Sequence, residues 1–342
     1  MSNKELLTAS YDFDLPDRLI ATHPTHPRDH AKLLVYDRKT DTITHTHFYD
    51  FEKFIPKDAA LIFNDTKVIK ARLYGKKASG GKIELLINRA LNAHDVRCYI
   101  RGRIKAGTVL EFDAKLQAKV TSLQEDGSRV VQFYQGDALL RFEELLPIID
   151  TIGHIPLPPY IQREDTPEDA NEYQSVFAKQ EGAVAAPTAS LHFTDEQHQR
   201  ICNNHPHAYV TLHVGSGTFK PVEAKVITEH PMHSEFYEIS PKAKGLLDSN
   251  TPILSIGTTA TRTIEFYARN KEQTSGEANL FLHPNNKPLR VNHLLTNFHL
   301  PKSTLIMLVA SFVGLEKTLQ LYHEAIKNNY RFYSYGDAML IL

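Results

Sequence analysis

Short runs of apolar and polar positions between Thr66 and Gln135 predict a domain built from β-strands. Gly80-Gly81 and Asp126-Gly127 separate pairs of these runs, and such dipeptides supply the positive φ that tight hairpins need. Six short strands divided by turn signals are typical of a small barrel or sandwich. The predicted strands are Val68–Tyr74, Lys82–Asn88, Val96–Ile100, Thr108–Phe112, Ala118–Ser122 and Arg129–Tyr134.

The pattern changes after Val184, where strand-like apolar runs alternate with helical periods. Thr194, followed three residues later by Gln197, is a capping-box signature that opens the first of these helices. Alternating strands and helices favour an α/β layer with a largely parallel sheet. The strands predicted for this layer are Leu33–Asp37, Ala60–Phe63, Ala208–Val214 and Ile253–Ile256, and its helices are Asp195–Cys202, Thr261–Ala268 and Thr304–Val313.

Two strands of this layer precede the β-rich segment, so the predicted fold is discontinuous. We expect an α/β main domain with a largely parallel sheet and an inserted small all-β, barrel-like domain. Five prolines from Pro147 to Pro167 predict an extended crossing out of the insert and not a helix, because proline fixes φ and lacks an N–H donor. The first part of the main domain is placed at residues 1–65, the insert at 66–150 and the second part at 151–342.

Composition narrows the class of protein. Lys and Arg number 39 and Asp and Glu 40, and the resulting net charge of −1 excludes a globally basic protein of the histone type. Hydrophobic residues make up 42% of the chain, which excludes a disordered chain. Cys98 and Cys202 form no CxxC pair, and this usage fits a reducing cytosol. Because Met1–Tyr11 lacks an apolar signal region and Leu305–Leu315 is shorter than the ~20 residues of a membrane span, we expect a soluble cytoplasmic protein.

Charge is concentrated in the predicted insert. Between Thr66 and Ala106, eleven basic side chains are opposed by two acidic ones, a local net charge of +9 in a chain whose total is −1. Lysine-rich edge strands often carry such a bias as a solvated surface. The alternative is a surface that binds a phosphate backbone, and we favour it because the rest of the chain is acidic.

Three loops at predicted strand ends carry polar residues where α/β sheets bind ligands. His213–Thr218 places Gly215 and Gly217 around a serine, which lets the backbone approach a ligand. Alone this pattern is more typical of a tight turn, and it is not the GxGxxG fingerprint of a Rossmann site. Gly257–Arg262 opens a helix whose N–H groups suit a carboxylate or phosphate, although threonine capping explains it equally well. Thr296–Thr304 gathers Thr, Asn, His and Lys within seven positions, which favours a function over simple capping.

The 18 histidines raise the question of a metal site. His230, His233 and Glu235 lie close together in sequence, as do His205 and His207. Neither group has the four closed ligands of a structural zinc site or the regular spacing of a catalytic one. We therefore expect no metal, and we interpret His233 and Glu235 as a hydrogen-bonding pair that contacts a polar ligand.

Ordered motifs along nearly the whole chain resemble the S-adenosylmethionine:tRNA ribosyltransferase-isomerase family of queuosine biosynthesis. In the first half they are Tyr11-Asp-Phe-Asp-Leu-Pro16, Asn64-Asp65-Thr66, Ile155-Pro-Leu-Pro-Pro-Tyr160 and Val184-Ala-Ala-Pro-Thr188. In the second half they are His213-Val-Gly-Ser-Gly-Thr-Phe219, Met232-His-Ser-Glu235, Gly257-Thr-Thr259, Leu295-Thr-Asn-Phe-His-Leu-Pro-Lys-Ser-Thr304 and Tyr330-Arg-Phe332. One stretch departs from the family pattern, because residues 283–292 lack its Pro-Gly-Tyr turn and its Val-Val-Asp run. Asparagines stand there instead, and they tolerate the left-handed conformation that glycine provides, so we expect the turn to survive.

The resemblance implies that the ribosyl group of S-adenosylmethionine is transferred to tRNA. The acceptor is the aminomethyl-deazaguanine at the wobble position, whose amine attacks the donor. Adenine and methionine leave, and the ribose rearranges to an epoxycyclopentane, which gives epoxyqueuosine. S-adenosylmethionine is then a consumed substrate, and no cofactor is expected.

Residue type and placement suggest roles for the loop residues in that chemistry. A sulfonium acidifies the hydrogens on the neighbouring carbon, so a positioned base can start the isomerisation. The candidates for this base are His213, His233 and His299, with Glu235 or Asp65 orienting one of them or acting directly. The candidates for binding the donor are Gly215, Ser216, Gly217 and Thr218 at the nucleoside, Thr258, Thr259 and Arg262 at the methionine carboxylate, Lys302 at that carboxylate or a tRNA phosphate, and Thr296 and Asn297 beside them.

We expect tRNA to contact both the basic insert and the mouth of the active site. The candidates for backbone contacts are Arg72, Arg101, Arg103 and Lys105. The expected partners are therefore tRNA with the modified wobble base and S-adenosylmethionine, with no membrane, and the expected state is a monomer.

Three other functions fit parts of the sequence. An S-adenosylmethionine methyltransferase is opposed by the missing glycine-rich Rossmann turn, and it predicts transfer of a methyl label to tRNA. A non-catalytic RNA-binding module built on the insert predicts that no free adenine appears. A histidine-rich metal hydrolase predicts loss of activity with a chelator.

Overall fold

The computed structural model of the chain describes residues 3–215, 217 and 222–342. Within these residues the larger sheet has nine strands. From one edge to the other they are β16 (Ser275–Ala278), β14 (Glu235–Ile239), β13 (His207–Leu212), β3 (Ala60–Asn64), β15 (Ile253–Ile256), β17 (His293–Asn297), β18 (Ala338–Ile341), β1 (Lys32–Asp37) and β2 (Thr42–His47). Strands from both ends of the chain therefore share one sheet, which confirms the predicted discontinuous α/β domain.

Four neighbouring strands of this sheet, β13, β3, β15 and β17, are parallel, and the strands on either side of them join in antiparallel pairs. Pairings β13–β3, β3–β15, β15–β17 and β18–β1 are parallel, and the other four pairings of the described strands are antiparallel. The sheet is thus mixed, with its parallel part where the strands β3 and β15 are buried along their whole length. Strands β13, β3, β15 and β17 run in one direction, so their carboxyl ends lie at one edge of the sheet.

Among the described residues, α-helices cover both faces of this sheet, and the first helix packs on the inserted domain. They are α1 (Phe142–Ile152), α2 (Asp169–Glu172), α3 (Asp195–Asn204), α4 (Pro241–Asp248), α5 (Thr258–Arg269), α6 (Thr304–Val313) and α7 (Leu315–Lys327), and short 3₁₀ helices lie at Asn3–Leu6, Thr8–Tyr11, Asp17–Leu19, Arg28–His30, Phe48–Phe54, Asp113–Lys115, Thr188–His192 and Ile227–Glu229. The hydroxyl of Thr194 accepts a hydrogen bond from Gln197 N at 3.1 Å, which confirms Thr194 as the cap of α3. The second half of the predicted capping box does not form, because the Gln197 side chain donates to the carbonyl of Phe48 and its Oε1 has no partner among the described residues. Among the described residues no single helix has the length and apolarity to cross a membrane, and α6 and α7, which would suffice together, meet at a bend of 112°.

The insert is a closed antiparallel barrel. Its six strands are β5 (Arg72–Lys77), β6 (Lys82–Ala90), β7 (Asp95–Arg101), β8 (Val109–Glu111), β9 (Leu116–Leu123) and β10 (Arg129–Gln135), and the β10–β9 pairing closes the circle. Alternate residues such as Leu85, Ile87, Val96 and Cys98 fill the interior. The short strand β11 (Ala138–Leu139) pairs antiparallel with the last residues of β10. The predicted barrel-like domain is confirmed, whereas the boundaries at 65/66 and 150/151 stay predictions.

Two predictions along the insert need correction. The predicted strand Val68–Tyr74 is interrupted, because β4 (Thr66–Val68) pairs with β12 (Gln180–Ala183) outside the barrel and β5 begins only at Arg72. The crossing predicted from Pro147 onward begins as a helix, since Pro147 lies inside α1. Burial of Leu145 and Ile149 on the barrel outweighs the hydrogen bond that the proline removes. Pro147 is on the exposed side of α1, where water can replace that bond.

Candidate active site

A cleft of about 1020 Å³ lies between the barrel and the carboxyl edge of the sheet. From the barrel, the residues that line it include Asn88, Arg89, Arg97 and Tyr99. From the sheet side they include His213, Gly215, Gly217, His233, Ser234, Glu235, Phe236 and Glu277, with Glu181 and Gly182 contributed by β12. Five candidates from the sequence therefore meet in one cavity, namely His213, Gly215, Gly217, His233 and Glu235.

His213 follows β13 and is held by three contacts. Its Nδ1 lies 2.8 Å from the buried hydroxyl of Thr66. Its ring stacks on Phe236, with centroids 5.7 Å apart and planes at 20°. A Cβ on Gly182 would stand 2.8 Å from its Nε2, so only glycine leaves room beside this nitrogen. Burial lowers the pKa of His213 to about 4, which keeps the imidazole neutral at pH 7.

Glu235 is the buried anion of the site. It is 2% exposed, and its Oε2 accepts a hydrogen bond from Nη1 of Arg262, which is 5% exposed. Its Oε1 accepts from Gly215 N at 2.9 Å and lies 3.4 Å from Nε2 of His233. Burial raises the pKa of Glu235, but Arg262, His233 and the Gly215 amide outweigh it and lower the pKa overall. His233 thus lies beside Glu235 as predicted, but its Nε2 stands at an ion-pair distance without hydrogen-bond geometry, and the carboxylate stays charged.

A second, smaller cavity of about 80 Å³ opens at the carboxyl ends of β15 and β17. Thr258, Thr259, Thr296 and His299 line it, together with Val214. His299 Nε2 lies 2.8 Å from the Thr296 hydroxyl, and burial lowers the pKa of His299 to about 3. Because His213 and Gly215 line the cleft while Val214 lines this cavity, residues 213–215 form the wall between them.

Three other candidates from the sequence line neither cavity, and their polar atoms contact other residues of the protein. Asp65 accepts from the Thr211 hydroxyl at 2.7 Å, and burial raises its pKa. Asn297 contacts His192 Nε2 at 2.9 Å and donates to the carbonyls of Tyr333 and Ser334. Lys302 forms an exposed ion pair with Asp12 at 2.7 Å.

Arg262 is the candidate whose observed contacts differ most from the prediction, which placed it at the methionine carboxylate. Besides Glu235, it donates to the carbonyls of His233 and Ala278, so it positions the buried carboxylate. Ser216 and Thr218 lie outside the described residues. Among the residues that the structure describes, no three His, Cys, Asp or Glu side chains are grouped as metal ligands would be.

The four RNA candidates fall into two groups. Arg72 is largely buried, with its Nε 3.2 Å from Glu84 and Nη2 donating to the carbonyl of Leu157. Arg101, Arg103 and Lys105 are exposed at the end of β7 and in the loop after it. Arg101 continues the side of β7 that bears Arg97 and Tyr99, because side chains alternate along a strand. Arg101 thus extends the barrel wall of the cleft outward, and Arg103 and Lys105 follow it in the exposed loop.

Several functional candidates are missing from the sequence prediction. Thr66 and Gly182 contact His213 only because β4 pairs with β12, and Phe236 and Glu277 reach the cleft as neighbours across β14 and β16. Apolar–polar alternation does not indicate Phe236 either, because the polar Glu235 is buried and the apolar Phe236 stands at an outward position. Nothing local in the sequence indicates Gly182 or Glu277.

The turn in the unusual stretch 283–292 is present without a left-handed residue. Asn286 N donates to the His283 carbonyl at 2.8 Å, and none of residues 283–292 has positive φ. The buried Glu265 carboxylate accepts from the amides of residues 289–291, which fixes the segment after the turn. The turn survives as expected, but through these hydrogen bonds and not through asparagine in the left-handed region.

Comparison with known proteins gives matches over the full chain. The family model described as queuosine biosynthesis protein matches residues 8–341. The S-adenosylmethionine:tRNA ribosyltransferase-isomerase of Sulfurimonas denitrificans is 72% identical over 100% of both chains, and that of Nitratiruptor sp. is 61% identical over 97% of this chain and 98% of its own. A crystal structure of S-adenosylmethionine tRNA ribosyltransferase from Thermotoga maritima matches with a TM-score of 0.54 and 33% identity, over 97% of this chain and 100% of that one.

Proposed function

The chain belongs to the queuosine biosynthesis protein family, and we propose that its cleft and the adjoining cavity transfer the ribosyl group of S-adenosylmethionine to tRNA and isomerise it. The acceptor is the aminomethyl-deazaguanine at the wobble position, and the products are epoxyqueuosine-tRNA, adenine and methionine. The observation that carries this proposal is the wall at residues 213–215. It separates a wide cleft, bordered by a basic barrel, from a narrow cavity at the sheet edge. A large polyanion and a small nucleoside can then meet at His213.

The narrow cavity suits the methionine half of the donor. Ala185, Ala186 and Val214 offer apolar walls to its side chain. The amides of Thr258 and Thr259 stand in the first turn of α5, where the N–H groups have no partner within the helix and favour a carboxylate. With the methionine there, the ribose reaches past Val214 to His213. Arg262 supports this arrangement indirectly, by holding Glu235.

The side chains around His213 match the proton transfers of the reaction. The neutral His213 accepts a proton at Nε2 from the carbon beside the sulfonium. This role requires the tautomer with the hydrogen on Nδ1, which then donates to Thr66 Oγ1 at 2.8 Å. Glu235 remains anionic and stabilises positive charge on the sulfonium or on His233. His233 stands at the cleft and can donate a proton to a ring nitrogen of the departing adenine. S-adenosylmethionine is consumed, so the proposal needs no resident cofactor.

Release of adenine tests this function. Purified protein is incubated with S-adenosylmethionine and an anticodon stem-loop that carries the aminomethyl-deazaguanine, and free adenine and the mass of the wobble nucleoside are measured. We expect one adenine per modified RNA and none without acceptor. Donor labelled in the methyl group should leave the RNA unlabelled. Label on the RNA would support a methyltransferase instead, and absence of adenine would rule out the proposed reaction.

The exposed cations at the end of β7 should control RNA binding. Replacing Arg101, Arg103 and Lys105 together by glutamine is expected to raise the KM for the stem-loop at least tenfold, with little change in the KM for S-adenosylmethionine. The slope of log affinity against log salt should fall by about 2 to 3, since each lost phosphate contact removes roughly 0.7–0.9. Lys327→Gln, at the exposed end of α7, is the matched control. An unchanged salt slope would remove these three residues from the RNA surface.

A cytoplasmic location belongs to the same proposal, because tRNA is the substrate. Cys98 and Cys202 are both free thiols, as is usual in a reducing compartment. The monomeric state expected from the sequence stays a prediction.

A further inference from the structure

Phe236 presents an aromatic surface in the cleft, beside the polar side chains of His213 and Glu277. It stands at an outward position of β14, between the buried residues Glu235 and Tyr237. One side of its ring stacks on His213, and 38% of the residue remains exposed. An apolar ring exposed at a polar site costs hydration free energy unless a ligand covers it. The flat shape of the surface favours a flat ligand, and nucleic-acid bases stack on such rings.

Glu277 lies directly beside this ring. It is the partner of Phe236 across the antiparallel β14–β16 pair, so both side chains stand on the same face of the sheet. Its Oε2 accepts hydrogen bonds from the Ser234 hydroxyl at 2.8 Å and from Nη1 of Arg89, on the barrel, at 2.5 Å. These contacts hold the carboxylate at the cleft and leave lone pairs on Oε1 for a further donor.

We infer that Phe236 and Glu277 form the binding site of the acceptor base. The base ring stacks on Phe236, and the N–H groups at the edge of the base donate to Glu277. This inference rests on the proposed function. A guanine-type base offers two adjacent N–H donors, from N1 and the 2-amino group, and both can reach the lone pairs of Oε1. The adenine of the donor offers one amino group beside the acceptor nitrogen N1, which a carboxylate repels. The observations therefore favour the wobble base, extruded from the anticodon loop, over the donor.

The absence of tryptophan from the chain gives a direct test. Phe236→Trp places a single tryptophan on the proposed stacking surface. Its fluorescence is titrated with an unmodified anticodon stem-loop bearing guanine at the wobble position, with the same stem-loop made abasic there, and with S-adenosylmethionine alone. Leu289→Trp, at a residue that is 69% exposed and does not line the cleft, is the matched control.

We expect the guanine stem-loop to quench the emission of the Phe236→Trp protein and the abasic one to bind about 5- to 150-fold more weakly, which is the range for loss of one stacked base. S-adenosylmethionine alone should leave that emission unchanged, and the control tryptophan should respond to none of the three. Equal affinity for the abasic and guanine RNAs, or quenching by S-adenosylmethionine alone, would overturn the assignment.

Two kinetic variants separate stacking from edge recognition. Phe236→Leu should raise the KM for RNA but not the KM for S-adenosylmethionine, and Phe236→Tyr should restore it. Glu277→Gln should abolish the difference in binding affinity between stem-loops with guanine and with inosine at the wobble position, because inosine lacks the 2-amino donor. If the unaltered protein releases adenine but these variants show no such effects, this inference is wrong and the proposed function stands. If it releases no adenine at all, the function itself is wrong.

Discussion

Replacement of His213 by glutamine is expected to lower the rate of adenine release about 10²- to 10⁴-fold at saturating donor and acceptor, the usual contribution of a general base. Glutamine can keep a hydrogen bond to Thr66, whose hydroxyl lies 2.8 Å from Nδ1 in the native protein, but it cannot take up a proton. RNA binding, measured with the unmodified stem-loop, should change little. His207→Gln, at the opposite end of β13, is the control and should retain full activity.

Glycine variants test whether the position of the His213 imidazole, and not only its ability to take up a proton, determines the rate. Gly182→Ala puts a methyl group 2.8 Å from Nε2 and should lower the rate without altering RNA affinity. Gly245→Ala, in α4, adds a methyl group with nothing within 4 Å and should be silent. Near-normal turnover of the His213→Gln and Gly182→Ala proteins would remove His213 as the base, and His233 would take its place.

The protonation of His213 can be followed independently of turnover. Burial lowers its pKa to about 4, below the roughly 6.5 of an unfolded chain. The unfolded chain therefore binds the proton first as the pH falls, and the stability due to neutral His213, fully present above about pH 6.5, is lost between pH 6.5 and 4. The His213 ring resonance can be assigned in an NMR spectrum as the one that is missing from the His213→Gln protein. In a pH titration this resonance should have its midpoint near pH 4. A midpoint at 6 or above would contradict the buried environment.

Elements fixed by local pattern agree closely with the sequence prediction. The predicted β15 and α6 have the observed bounds, and the cap at Thr194 forms as its spacing indicates. These segments succeed because periodicity and capping act within a few residues. The mistake at Pro147 has the opposite origin, since packing of α1 on the barrel outweighs the local preference of proline.

The candidate site shows the same division between local and distant causes. His213, His233 and Glu235 stand in short polar motifs at strand ends and can be found in the sequence. Asp65 is one of two carboxylates predicted to orient a histidine or to act directly, yet its neighbour Thr66 contacts His213. Consecutive side chains of an extended segment point to opposite sides, so Asp65 faces Thr211 instead. Arg262 suggests a ligand for a carboxylate, and it does bind one, but the carboxylate is Glu235 of the protein. Only the tertiary structure brings these two residues together.

Removal of Glu235 should have the largest effect on stability. Glu235→Ala leaves the guanidinium of Arg262, which is 5% exposed, without its anion, and breaking such a buried pair typically costs about 3–5 kcal/mol. Urea unfolding, followed by circular dichroism, should show a loss of this size. Glu181→Ala, which breaks the exposed pair between Glu181 and Lys67, should cost no more than about 1 kcal/mol.

A double variant separates the structural role of the pair from its role in the reaction. Glu235→Leu combined with Arg262→Met removes both charges together, so it should recover most of the stability lost in Glu235→Ala, because no unpaired charge remains buried. It should not recover adenine release, since the cleft then lacks the anion beside His233. Recovery of activity along with stability would show that Glu235 serves only the fold. If the double variant does not recover stability, the stabilising contribution of Glu235 comes from the hydrogen bond that it accepts from the Gly215 amide, and not from the ion pair with Arg262.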